Sequence, residues 1–214
     1  MISPLSLILI LISLFGIITL VWRWGSRRYP LPCPVWMKWM LDPPFSGNMS
    51  SRTRRTIGHL NLKPGMHVLD AGCGPGRLTI PIAHQVSPQG TVTAMDIQEG
   101  MLQEVQKRAA RENLINIHYI QKGIGEGDLE TSHYDRAILI TVLGEIPDRE
   151  AALRDIWIAL KPGGILLVEE TIRDPHFQTR STVTGLAEMY GFKEKEFFGN
   201  RFSFTLTLEK PLES

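Results

Sequence analysis

Cysteine and clustered histidine are both scarce in this chain. Its 214 residues include two cysteines, Cys33 and Cys73, which lie far apart in the sequence. A disulfide framework and a zinc ribbon both need cysteines at short, repeated spacings, so the sequence excludes both classes. The six histidines, at positions 59, 67, 84, 118, 133 and 176, include no pair spaced like metal ligands on one helix face. The sequence therefore predicts no metal site.

Charged side chains are missing from the start of the chain. Residues 5–22 are 18 uncharged residues, most of them Leu, Ile, Val or Phe. As a helix they would span roughly 27 Å, about the thickness of the hydrocarbon core of a bilayer. Tryptophans and arginines close this segment: Trp22, Trp24, Arg23, Arg27 and Arg28. A cleaved signal peptide would have a basic start and small residues at a cut site, and neither is present.

Basic flanks of membrane helices stay on the cytoplasmic side. We therefore predict a single-pass transmembrane anchor over residues 1–28, with the rest of the chain in the cytoplasm. A hydrophobic helix buried against a partner protein is the alternative. The next segment, residues 29–49, combines prolines with tryptophans in a short amphipathic pattern: Pro30, Pro32, Pro34, Val35, Trp36, Trp39 and Met40. We predict an interfacial or linker segment there, lying in the lipid headgroups or packing on the domain that follows.

Positive charge is concentrated near the start of the chain. Residues 1–55 carry seven basic and one acidic side chain, a net charge of +6, whereas the remaining residues carry 16 basic and 21 acidic ones, a net charge of −5. A nucleic-acid enzyme is expected to have a basic catalytic face. The distribution therefore predicts a membrane bilayer as a partner and no nucleic acid.

A glycine-rich stretch carries most of the functional signal. Residues 68–76 read Val-Leu-Asp-Ala-Gly-Cys-Gly-Pro-Gly, an apolar strand that ends at Asp70 and is followed by three alternating glycines. A strand that leads through glycines into a helix places bare backbone at the carboxyl edge of an α/β sheet, where nucleotide-like ligands bind. A dinucleotide fingerprint needs its third glycine at position 77, which is Arg77. An NAD-dependent oxidoreductase is therefore disfavoured.

Strands and helices alternate along the rest of the chain. Apolar patterning predicts strands at 66–70, 91–96, 117–121, 134–143, 165–170, 193–198 and 202–209. Helices are predicted at 50–60, 77–86, 99–113, 149–160 and 181–190, with turns at residues 161–164 and at Gly199-Asn200. This order predicts an α/β fold with a Rossmann-like, seven-stranded, mostly parallel sheet, an antiparallel final strand and helices on both faces. We assign this domain to residues 50–214.

The motif Asp70-x-Gly72-x-Gly74-x-Gly76 resembles motif I of the class I S-adenosylmethionine-dependent methyltransferases. The Leu-Lys-Pro-Gly-Gly-Ile-Leu-Leu-Val run at 160–168 also resembles the family's helix, turn and strand. The resemblance covers about residues 50–210. It implies S-adenosyl-L-methionine as the cofactor and methyl transfer as the activity.

The resemblance also implies positions for the cofactor. The residues expected to contact it are Asp70, Gly72, Cys73, Gly74, Gly76, Asp96, Ile97, Met101, Gly123, Ile124 and Thr141. The turn and Asp70 would hold the amino-acid end, and Asp96 would accept hydrogen bonds from the ribose hydroxyls. Ile97 and Met101 would pack on the adenine, although both are equally expected as core residues. Relatives often have an aspartate where this chain has Ile124, so the polar contact to adenine is weakened.

Glu145 is the candidate catalytic residue. Many relatives have two histidines after the fourth strand, where this chain has Gly144-Glu145. An acid there could take a proton from the acceptor or attract a cationic amine. The alternative is a solvated loop residue or a cap of the next helix. His118, His133 and His176 are interpreted as surface or packing residues.

The predicted anchor indicates the class of acceptor. Confining an enzyme to a membrane raises its effective concentration only toward membrane-dissolved substrates. We therefore expect a lipid-like or hydrophobic acceptor, such as a phospholipid amine, a quinone or a thiol. Two alternatives remain open: a methyltransferase of a membrane-associated protein, and a cofactor-binding scaffold without catalysis.

Overall fold

The computed structural model describes residues 3–28 and 50–212. The helices are α1 (Pro4–Arg28), α2 (Ser51–Leu60), α3 (Thr79–Val86), α4 (Glu99–Arg111), α5 (Arg149–Ala159) and α6 (Arg180–Glu188). The strands are β1 (His67–Ala71), β2 (Thr91–Met95), β3 (Ile117–Ile120), β4 (Tyr134–Ile140), β5 (Leu160–Thr171), β6 (Lys193–Asn200) and β7 (Ser203–Glu209). A 3₁₀ turn at Leu143–Glu145 follows β4.

The seven strands form one sheet in the order β3-β2-β1-β4-β5-β7-β6. The pairs among β1 to β5 are parallel, and β7 runs antiparallel to both β5 and β6. The order reverses between β1 and β4, which places a topological switch point beside the end of β1. The predicted Rossmann-like sheet with its antiparallel final strand is confirmed.

The sheet is buried on both faces, because apolar residues in its central strands alternate between two cores. Val68 in β1 packs with residues of α2, α3 and α4 on one face. Leu69, its neighbour, packs on the other face with residues of α5 and α6. The predicted arrangement of helices on both faces is therefore correct.

Two local predictions were wrong at the far side of the sheet. Residues 161–164, expected as a turn, lie within β5 as a bulge: Leu160 pairs with Tyr134, and the next pair is Ile165 with Arg136. The extra residues leave the ladder without ending the strand. The hairpin turn lies at residues 201–202 rather than at Gly199-Asn200, because β6 and β7 continue pairing as far as Asn200 and Ser203.

Helix α1 carries apolar side chains at the surface. Among the side chains of α1 that the structure describes, ten apolar ones are more than half exposed: Leu7, Leu9, Ile10, Leu11, Ile12, Leu14, Ile17, Leu20, Val21 and Trp24. Across residues 3–28 and 50–212, no helix is both long enough and apolar enough to cross a membrane. The predicted transmembrane helix is thus not confirmed. The predicted interfacial segment, residues 29–49 with Cys33, lies outside the described residues.

Candidate active site

The glycine turn after β1 lies at the switch point of the sheet. Gly72, Gly74 and Gly76 all have left-handed backbone, with φ of 74°, 52° and 85°. The backbone N–H groups of Gly72 and Cys73 both donate to the carbonyl of Met95, at 2.8 and 3.0 Å. A Cβ on Gly72 would lie 2.6 Å from a methyl of Val142. The turn is therefore tied to β2 and pressed against the residues after β4, in a form that only glycine adopts easily.

Asp96 closes the same turn from the end of β2. One carboxylate oxygen accepts from the N–H of Gly74 and the other from the N–H of Gln98, both at 2.9 Å. Burial raises the pKa of Asp96, and these two hydrogen bonds oppose the shift. A carboxylate has about four lone-pair sites, so each oxygen can still accept a ligand hydroxyl.

Asp70 lies beneath the turn and is 2% exposed. Its Oδ2 accepts a 2.6 Å hydrogen bond from the hydroxyl of Thr79, the first residue of α3. Burial raises the pKa of Asp70 to about 6, and the hydrogen bond from Thr79 opposes this shift. In this structure Asp70 fixes the start of α3 and contributes negative charge from below the turn.

The two predicted adenine contacts have different surroundings. Ile97, directly after Asp96, is 56% exposed, whereas Met101 is 1% exposed within α4. Ile97 therefore offers apolar surface at the carboxyl edge of the sheet, and Met101 offers almost none. Cys73, at 7% exposure, is likewise buried inside the turn, and burial raises the pKa of its thiol.

Gly123 and Ile124 follow β3 at the same edge. Ile124 is half-buried and packs against the core on the α5 face. Gly125 has a φ of 96°, and a Cβ there would lie 2.8 Å from the backbone nitrogen of Ala152. This close approach to α5 is a feature that the sequence analysis missed, although a glycine two positions after Gly123 could have indicated it.

Thr141 and Val142 connect β4 to the 3₁₀ turn. Thr141 has a φ of 55°, which a β-branched residue rarely adopts, and its hydroxyl donates to the carbonyl of Ile140 at 2.7 Å. Its backbone N–H donates to Glu169 of β5. A strained residue held by two hydrogen bonds at a sheet edge is typical of functional sites.

Glu145 ends this 3₁₀ turn and faces other acids. Its side chain is 22% exposed. Burial, together with the negative charges of Asp174 and Asp96, raises its pKa to about 8. Arg149 holds the turn by donating to the carbonyls of Leu143 (3.1 Å) and Gly144 (3.2 Å). The helix cap that we considered for Glu145 is provided by Asp148, whose carboxylate accepts from the N–H of Ala151.

Two acid–base groups that the sequence analysis did not select lie beside Glu145. His176 is 6% exposed, and its Nδ1 lies 3.7 Å from a carboxylate oxygen of Glu145. Glu170, at the end of β5, is 1% exposed, and burial raises its pKa to about 8. The acidic pair that ends the apolar run of β5 was the available signal for Glu170. Nothing in the sequence pattern singled out His176.

Helix α2 joins the glycine turn to β5. Arg52 and Thr56 donate to the two carboxylate oxygens of Glu169, each at 2.6 Å. The hydroxyl of Thr53 accepts from Arg77, directly after the turn, at 3.1 Å. The first predicted helix therefore packs over the switch point rather than beside the sheet as a separate unit.

A separate cavity of about 330 Å³ opens between the end of α2 and the β6–β7 hairpin. Its lining includes His59, whose ring stacks on Phe198 at a centroid distance of 3.8 Å. None of the predicted site residues lines it. The acids and glycines at the carboxyl edge, rather than this cavity, form the candidate active site.

The carboxyl edge fits S-adenosylmethionine. The bare turn at Gly74 and the acid of Asp96 provide backbone access and hydroxyl acceptors, and Ile97 provides apolar surface. The carboxylate of Asp70, below the turn, complements the positive charge of the cofactor's amine.

Known proteins match this chain along most of its length. Residues 62–197 match a family model described as "Methyltransferase domain". The chain is 33% identical over 141 residues to the ubiquinone/menaquinone biosynthesis C-methyltransferase UbiE of Shewanella woodyi, and the match covers 65% of this chain and 55% of that protein. The chain thus spans about half the length of the curated relatives it matches.

Solved structures share the fold at low identity. The crystal structure of a SAM-dependent methyltransferase from Aquifex aeolicus aligns with a TM-score of 0.74 and 18% identity, over 83% of this chain and 99% of that one. The [4+2]-cyclase SpnF aligns with a TM-score of 0.66 and 16% identity, over 75% of this chain and 80% of that one. These likenesses show the fold alone. Taken with the family match, they show that this chain belongs to the methyltransferase-domain family and carries an S-adenosylmethionine-dependent methyltransferase domain.

Proposed function

We propose that this protein transfers the methyl group of S-adenosylmethionine to a hydrophobic small molecule at a membrane, with a quinone-type ring as the leading candidate. The observation that carries this proposal is Glu145, a half-buried acid held beside the cofactor turn by the contact of Val142 with Gly72. The similarity to UbiE proteins, which are named as ubiquinone/menaquinone biosynthesis C-methyltransferases, supports the ring acceptor. A phospholipid amine and a hydrophobic thiol are the other small-molecule candidates.

The glycine turn, Asp96 and Glu145 have separate roles in the proposed reaction. The turn at Gly72, Gly74 and Gly76 admits the cofactor, and Asp96 orients it by accepting hydrogen bonds. When bound, the cofactor supplies an activated methyl group. Glu145 is the acid positioned to accept a proton from the acceptor, and its pKa of about 8 lies near the operating pH that general-base catalysis favours.

Membrane attachment is proposed for α1. Its ten surface apolar side chains exceed what a soluble monomer normally exposes in one place, and such surfaces contact membranes or partner proteins. The net charge of +6 over residues 1–55 favours an anionic lipid surface. The cytoplasmic location of the domain and the division at residues 28 and 49 remain predictions.

Two measurements test this function. Purified protein is titrated with S-adenosylmethionine by calorimetry, and membranes are then incubated with methyl-labelled cofactor and separated into lipid and protein fractions. Label in an extracted lipid or quinone fraction supports the proposal. Label in a protein band instead identifies the protein-methyltransferase alternative. Cofactor binding without label in either fraction identifies the cofactor-binding scaffold, and no heat of binding would overturn the proposed function.

A truncation tests the role of α1. A variant without residues 1–28 is expected to bind the cofactor normally and to lose turnover on substrate-loaded vesicles while keeping it on a detergent-dissolved acceptor. Equal turnover of the full chain and the truncated chain on vesicles would contradict membrane attachment through α1.

A further inference from the structure

The loop between β5 and α6 packs tightly on the candidate base. The N–H of His176 donates to Asp174 at 2.7 Å, and the side-chain amide of Gln178 donates to the carbonyl of His176 at 2.6 Å. The N–H of Gln178 donates to Glu170 at 3.1 Å, which ties the loop to the end of β5. This segment is therefore held in one conformation around the imidazole.

Gly144 allows this loop to approach Glu145. A Cβ at Gly144 would lie 1.9 Å from the carbonyl oxygen of His176, so only a hydrogen side chain fits there. The absence of a side chain at Gly144 therefore makes room for the backbone of His176 directly beside Glu145.

One ring nitrogen faces two carboxylates. The Nδ1 of His176 lies 3.7 Å from Oε1 of Glu145 and 3.7 Å from Oδ1 of Asp174. Both distances are too long for hydrogen bonds and short enough for ion pairs, and catalytic contacts commonly tighten when substrate binds. The side chains of Glu145 and Asp174 are 22% and 18% exposed, whereas that of His176 is 6% exposed, so the imidazole lies buried between two partly exposed carboxylates.

The charges around this nitrogen are mostly negative. Glu145 interacts electrostatically with Asp174 and Asp96, and Glu170 interacts with Asp174 and Glu145. Arg149 is the cation that faces Glu170. A proton that enters this cluster lowers the repulsion between its carboxylates, so the cluster can take up a proton from the acceptor.

We infer that His176 is a positioning partner of Glu145 and that its imidazole passes the acceptor's proton from Glu145 toward Asp174. The acceptor accordingly carries a proton on its nucleophilic group. This inference rests on the proposed function and names its substrate class: a neutral, weakly acidic hydroxyl compound such as a phenol or hydroquinone. A hydroxyl proton moves to Glu145, the electron pair it leaves forms the new bond to the methyl carbon, and the carbon–sulfur pair remains on sulfur. The proton then moves through His176 to Asp174 and to water.

The first test is a titration in the absence of cofactor and acceptor. The side-chain carboxyl of Glu145 is followed by carbon NMR in protein labelled at glutamate, and its signal is assigned by its loss in Glu145→Gln. We expect the midpoint to rise by about one pH unit in His176→Gln, which removes the imidazole, and to fall in Asp174→Asn, which removes a negative charge. His118→Gln, at an exposed histidine in β3, is the matched control and leaves the midpoint unchanged.

The second test is the pH dependence of turnover with a phenolic acceptor and with an amine acceptor. We expect His176→Gln to lower turnover of the phenol at least tenfold, to displace its pH profile in the direction seen by NMR, and to leave the calorimetric affinity for S-adenosylmethionine unchanged. A Glu145 midpoint that stays fixed in both variants, or an amine that is used better than the phenol, would overturn the inference. Absence of cofactor binding in the unaltered protein would instead overturn the proposed function.

Discussion

Glu169 and Glu170 are neighbours in β5, yet their carboxylates serve opposite faces of the sheet. Glu169 accepts hydrogen bonds from Arg52 and Thr56 of α2, and Glu170 accepts one from the N–H of Gln178 in the loop before α6. Successive side chains of a strand point to opposite faces, so one acidic pair fastens a helix on one side and the active-site loop on the other. Four predictions follow from these and related contacts.

Replacing Glu170 by Gln tests its buried charge. Its folded-state pKa of about 8 lies above the ordinary value of 4.5, so the folded protein binds this proton more tightly than the unfolded chain. The resulting stability is complete below pH 4.5 and is lost as the pH rises toward 8. We expect Glu170→Gln to match the unaltered protein at pH 5 and to exceed it at pH 8.5, by on the order of 3 kcal/mol. Urea unfolding at both pH values measures this. In Glu170→Gln the unfolding free energy is still expected to fall with rising pH, because the pKa of Glu145 is raised in the same way.

The attachment of α2 is tested by Thr56→Val. The hydroxyl of Thr56 donates its one proton to the buried carboxylate of Glu169 at 2.6 Å, with the carbonyl of Arg52 at 3.1 Å as the second acceptor in reach. This interaction is lost in the variant, so we expect a loss of about 1–3 kcal/mol in unfolding free energy. Thr184→Val is the matched control, because its hydroxyl donates only to carbonyls within α6. Equal losses in the two variants would show that the contact to Glu169 contributes nothing.

The glycine turn is tested by Gly72→Ala. The new Cβ would meet Val142 at 2.6 Å in a backbone conformation that disfavours alanine, so we expect cofactor affinity to fall by about tenfold or more. Adding Val142→Ala should restore part of the affinity by removing the clash. Gly185→Ala, where no atom lies within 4 Å of the new Cβ, serves as the control and should leave calorimetric binding intact.

The fit between the 3₁₀ turn and the loop after β5 is tested by Gly144→Ala. The methyl group would overlap the carbonyl of His176, so the loop must move away from Glu145. We expect turnover to fall by about tenfold or more, since small misplacements of catalytic groups have large effects, while calorimetric affinity for the cofactor changes little. A variant with full turnover would show that the loop position is unimportant.

The sequence predicted the fold well because its signals are local. Alternating strands and helices are recorded in apolar periodicity, and the glycine turn at residues 72–76 is recorded in residues that have no side chain. The proximity of Asp70 and Asp96 could also be predicted, because the carboxyl ends of neighbouring parallel strands meet at one edge of the sheet. The errors at residues 161–164 and 199–200 arose because a bulge and a turn use the same residue types, and only pairing with the neighbouring strand distinguishes them.

The sequence by itself determined the class of this protein: a mostly parallel α/β sheet with a glycine-rich turn at its switch point and an acid directly after the adjacent strand. Only the tertiary structure decided which groups surround Glu145. Glu170 approaches Glu145 from β5, and His176 approaches it from the loop after β5. No sequence spacing connects either position to residue 145. The tertiary structure also decided that Ile97 is exposed and Met101 is buried, because their exposure depends on how α4 packs and not on the residue type. Local chemistry is encoded along the chain, whereas proximity between distant segments exists only after the strands have assembled.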